Sequence, residues 1–111
     1  MVNENIKETF ERFVRNRAAN PDSGMGSSYR KALDHLNEWM AHDRPTWAPE
    51  DVWAMTSPAA IMALYEHVLV EQEHFRNGGG VFIHAQGRGD GYIRKNWCSA
   101  ALKAFAEFRA R

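Results

Sequence analysis

The sequence predicts an all-α fold: a single domain, residues 1–111, of four main helices plus a short helical turn, with a Gly-rich loop or small hairpin before the last helix. Three observations carry that prediction. Apolar residues recur at i, i+3 or i+4, and i+7 in four separate stretches, the spacing of a helix that buries one face. At 44% apolar and 12% aromatic, the composition is that of a chain that folds. A length of 111 residues suffices for one modest core and leaves no room for a second.

Ile6, Phe10, Phe13 and Val14 mark a first helix from Asn5 to Ala19, which Asn20-Pro21-Asp22 ends. The segment NPDSGMGSS reads as a loop of turn formers, with Ser27 or Ser28 capping the next helix. That helix carries the stripe Tyr29, Ala32, Leu33, Leu36, Trp39 and Met40. HDRPTWAPEDVWAMTSP follows with three prolines, and is expected to hold one helical turn from Pro49 to Ala54 with Pro49 at its first position. Ser57 before Pro58 is another cap. The third helix uses Ile61, Leu64, Tyr65, Val68, Leu69 and Phe75, and stops at Asn77-Gly78, a left-handed exit. In GGGVFIHAQGRGDGYIRKNW, Gly78 to Trp97, the β-prone runs Val81–His84 and Tyr92–Lys95 flank AQGRGDG, which allows a hairpin. Trp97, Ala101, Ala104, Phe105 and Phe108 define the last helix. Tyr29, Leu33, Leu36, Trp39, Leu64, Val68, Phe105 and Phe108 are expected to share one core.

Several function classes fall away. No stretch approaches the roughly 18 consecutive apolar residues of a membrane helix, and MVNENIKETF lacks the apolar core of a signal peptide, so a cytoplasmic chain with no membrane partner is expected. Cys98 is the single cysteine, which excludes an internal disulfide and a cysteine-rich zinc site. His67, Glu71 and His74 fall at i, i+4 and i+7 of the third helix, yet neither His-Glu-x-x-His nor a second Glu-x-x-His is present. They read as a solvated polar face, with no metal and no cofactor. Asp34 and His35 are neighbours on a helix and point apart, so no Ser-His-Asp arrangement follows and no catalytic residue is assigned. The glycines match neither the Walker nor the dinucleotide fingerprint. The Arg-Gly-Asp tripeptide Arg88–Asp90 is read as coincidence.

Net charge is zero, but residues 41–75 hold one basic against six acidic side chains, and residues 76–111 hold seven basic against two acidic. Either the two faces cancel across helix contacts, or the basic half forms a patch that meets phosphate. The loop allows three readings. Its aromatics fold inward and complete the core; or its glycines, cations and rings contact nucleic acid; or they form a protein interface.

SYRKALDHLNEW and WCSAALKAFAEF share the pattern Ala-Leu-x-x-apolar-x-Glu-aromatic. With GSSYRKALDHLNEWM, SPAAIMALYEHVL and WCSAALKAFAEF, which cover less than half the chain, the sequence resembles the helical N-terminal modules of bacterial HNH-type and modification-dependent restriction endonucleases. The resemblance implies a helical module that assists DNA binding or dimerisation of a nuclease, although no HNH motif follows in this chain. The expected function is a non-enzymatic binding module, a DNA-binding accessory in a nuclease or defence-related system, with Arg76, His84, Arg88, Tyr92, Arg94 and Lys95 as its nucleic-acid contacts. A homodimer is compatible with this. The alternative is a small adaptor or inhibitor that docks on a defence nuclease through acidic residues 41–75. A helical metalloenzyme on His67, Glu71 and His74 ranks third.

Overall fold

The computed structural model describes residues 2–17, 24–82 and 91–111, the side chains at 2–4 and 94 excepted. Five helices follow in order: α1 (Val2–Arg17), α2 (Met25–Asp43), α3 (Pro58–Arg76), α4 (Gly91–Arg94) and α5 (Trp97–Arg109), with a 3-10 turn at Val52–Ala54 between α2 and α3. Four of them are long, and no strand occurs among the described residues. The hairpin expectation is corrected in its second half. Tyr92-Ile93-Arg94 winds into the single turn of α4, because Ile93 is fully buried against the helices and anchors the turn there. Ile83, His84 and residues 85–90 lie outside the described residues, as does Asn20-Pro21-Asp22.

Helix α5 lies at the centre, packed on α2 along one side and α3 along another, while α1 covers α2. Alanines at 101, 104 and 106 let α5 sit close to its neighbours, and Leu102 and Phe105 fill the spaces between them. Phe105 makes edge-to-face contacts with Phe10 and Trp53, each at 5.4 Å, so the first helix, the 3-10 turn and the last helix meet on one ring. Of the expected core, Leu33, Leu36, Leu64, Val68 and Phe105 are buried, and Tyr29, Trp39 and Phe108 are half-buried against them.

The local signals hold where a side chain can act alone. Ser57 Oγ accepts from Ala60 N at 3.2 Å with Pro58 in the first turn, as its sequence position predicts. The end of α3 closes through Gly79 N to His74 O at 2.9 Å and Gly78 N to Phe75 O at 3.0 Å, the paired bonds of a Schellman exit. Elsewhere packing overrides the expectation. Ser27 and Ser28 are not caps: α2 starts earlier, at Met25, after Gly24. Gly26 is buried inside the helix, where a Cβ would lie 2.6 Å from Glu11 O, so it allows the backbones of α1 and α2 to touch. Pro49 likewise does not open the short turn. Asp51 caps it, accepting from Trp53 N at 3.0 Å, and Asn37 of α2 brackets the same segment by donating to Asp51 Oδ1 and accepting from Val52 N.

Candidate nucleic-acid interface

The described ends of the segment between α3 and α5 are tied by polar bonds reaching back into α3. Glu71 Oε1 accepts from Val81 N at 3.0 Å, and His74 Nδ1 lies 3.5 Å from the same oxygen. Gly80 permits this clasp, since a Cβ there would fall 2.7 Å from Glu71 Oε1 and 2.8 Å from His74 Cβ. Glu71 is therefore a loop anchor, which corrects its reading as part of a solvated face with His67 and His74. Phe82, next in the chain, is fully buried. Among the described residues no group of three histidine, cysteine, aspartate or glutamate side chains is arranged to hold a metal ion.

At the other end, Asn96 begins α5 in the left-handed conformation, φ 65°. Asparagine tolerates that region better than most residues, and two donors fix it: Gln72 Nε2 at 3.2 Å and Arg76 Nη1 at 2.5 Å, both to Asn96 Oδ1. Gln72 is fully buried, and also accepts from Ser99 N at 3.0 Å while donating to Ser99 Oγ at 2.9 Å. A side chain of α3 thus satisfies an N-terminal amide of α5 that a helix leaves without an internal partner.

Against this junction α2 presents the stripe Ser28, Lys31, His35 and Trp39, whose spacings of three, four and four place them on one face. Tyr92 of α4 stacks on His35 at 5.2 Å, and His35 on Trp39 at 5.7 Å. The row continues through Phe82, 6.2 Å from Trp39 and 6.0 Å from Trp47, to His67, which lies flat on Trp47 at 4.9 Å. Beside Tyr92, a cavity of about 350 Å³ is lined by Ser28, Gly91, Tyr92, Lys95 and Trp97. Trp97 is held from behind by an edge-to-face contact with Tyr29 at 5.6 Å. A larger cavity of about 410 Å³ opens between α1, α2 and α5, but its Arg17 and Glu107 pair with each other across it.

The six candidate contacts therefore separate. Tyr92 and Lys95 share the cavity; Arg76 sits beside the junction with its guanidinium on Asn96. Arg94 occupies the last position of α4. His84 and Arg88 lie outside the described residues. Sequence reasoning missed Lys31, His35 and Trp39, which join the site only because α2 packs beside α4. It also missed Gln72 and Asn96, although a glutamine on the buried face of a helix is a readable signal. Cys98 is fully buried, and desolvation pushes its thiol pKa far above the ordinary range, which disfavours its thiolate. No helix among the described residues is long and apolar enough to cross a membrane. Comparison with known protein families, curated proteins and solved structures found no match to this chain.

Proposed function

We propose that the chain is a non-enzymatic nucleic-acid-binding module, acting as a DNA-contacting accessory to a nuclease or defence system. One observation carries the reading: Lys95 and Tyr92, from the basic segment, line a cavity with Trp97 and Ser28, on the face where α2 adds Lys31, His35 and Trp39. Cations and half-exposed rings on one surface are what phosphate neutralisation and base stacking need. Titration of labelled DNA across a salt series tests it. Binding should weaken steeply as salt rises, and the double variant Lys31→Ala/Lys95→Ala should flatten the slope by about two units while lowering affinity. Wild-type affinity and slope in that variant would remove these lysines from the interface.

A second reading has its own observation. Glu66, Leu69, Val70 and Glu73 share one outward face of α3, with Leu69 and Val70 respectively 36% and 50% exposed, an apolar strip with an acidic rim. That is the surface an adaptor or inhibitor of a nuclease would use. Charge reversal at Glu66 and Glu73 would abolish partner capture without touching DNA affinity. Glu71 is excluded from such a test, because its carboxylate holds Val81.

A further inference from the structure

We infer that the cavity at the α4–α5 junction seats one unstacked nucleobase, which makes the chain a binder of single-stranded rather than duplex nucleic acid. The inference rests on the nucleic-acid reading above and specifies the strand. The walls decide the class of ligand. Tyr92 and Trp97 are the two aromatic walls, and each is held in place by a neighbour, Tyr92 by its stack on His35 and Trp97 by the edge of Tyr29. Rings fixed before binding lose little freedom when a planar ligand arrives. Lys95 supplies the charge on the same wall, placed for the phosphate attached to that base, and Ser28 adds a hydroxyl-bearing residue to the lining. The volume is about 350 Å³, in a depression open to solvent on its outer side.

A duplex cannot use such a site without cost. Its bases are covered on both faces, and extruding one costs a few kcal/mol. An unpaired strand has its faces free, and the stack of Tyr92 on His35 and of His35 on Trp39 braces the cavity's ring from α2.

The test uses the whole chain and two labelled probes, a thymidine-only strand and a hairpin duplex of matching length, at about 50 mM salt. The single strand should bind at least about tenfold more tightly. Tyr92→Leu should weaken it by about 5- to 150-fold, the range that stacking of one base supplies, and leave duplex affinity unchanged. Tyr92→Phe, which keeps the ring, should bind as wild type. Melting curves show whether Tyr92→Leu is folded; if it is not, the wild-type preference and Tyr92→Phe still decide. Equal affinity for strand and duplex would overturn the inference and leave the nucleic-acid reading standing, as would a folded Tyr92→Leu protein with wild-type affinity. Failure to bind either probe would overturn both.

Discussion

Two connections in this chain are rich in aromatic residues, and they use them in opposite ways. Between α2 and α3, Trp53 is 1% exposed and its own polar groups are all engaged: its indole N–H donates to Asp34 Oδ1 at 2.9 Å, its amide to Asp51, and its carbonyl accepts from Arg109 Nη2 at 3.0 Å. Lys7 reaches the same Asp34 at 3.1 Å. Between α3 and α5, Phe82 and Ile93 are the fully buried side chains among the described residues, while Tyr92 and Trp97 remain half-exposed around a cavity and Lys95 faces solvent. The first connection closes the core. The second is fastened at its ends, by Glu71 on Val81 and by Gln72 and Arg76 on Asn96, and leaves Tyr92 and Lys95 at the surface. A connection tied at both ends can carry exposed rings without endangering the fold.

The largest expected effect lies in the first region. Trp53→Ala or Phe105→Ala removes a ring from the shared cluster with Phe10 and should cost about 3–5 kcal/mol, enough to unfold a domain of ordinary marginal stability. Thermal melting measures it, and an unchanged melting temperature would show that the two connections do not differ in structural weight. Next comes the fastening of the second region. Gln72→Ala leaves the Ser99 amide and Asn96 carboxamide short of a buried partner, and should destabilise by about 1–3 kcal/mol. A neutral result would mean that the junction is not held by this side chain.

At the other extreme, Lys31→Ala/Lys95→Ala should change stability by no more than about 0.5 kcal/mol, because both side chains are exposed. Chemical denaturation of that variant sharpens the contrast: nucleic-acid affinity should fall while the unfolding midpoint stays in place. The smallest effect concerns Cys98. Its thiol should resist alkylation at neutral pH in the native protein and react once the chain is denatured. Since its folded pKa is raised, the unfolded thiol ionises first. The stability it contributes is complete below the ordinary thiol range and declines as pH climbs above it. Rapid alkylation of the folded protein would place Cys98 at a surface instead.

Periodicity alone made the four long helices legible, together with Ser57 as a cap, Asn77-Gly78 as an exit and most of the core, because each of these depends on residues within a turn or two of one another. Tyr92 and Lys95 were legible as candidates for the same reason: an unusual composition is local. Tertiary packing decided the rest. Gly26 looked like a loop residue because nothing in its neighbours announces that Glu11 crosses at contact distance. Tyr92–Lys95 looked β-prone, yet burial of Ile93 against helices outweighs a weak strand preference in so short a run. Glu71 looked like a solvated carboxylate until Val81 met it ten residues later. Lys31, His35 and Trp39 entered the candidate site only when α2 was laid beside α4, since the side chains facing a cavity come from elements far apart in the chain. A sequence specifies which face each helix buries; which faces then meet, and what they enclose, is settled by close packing of all the helices at once.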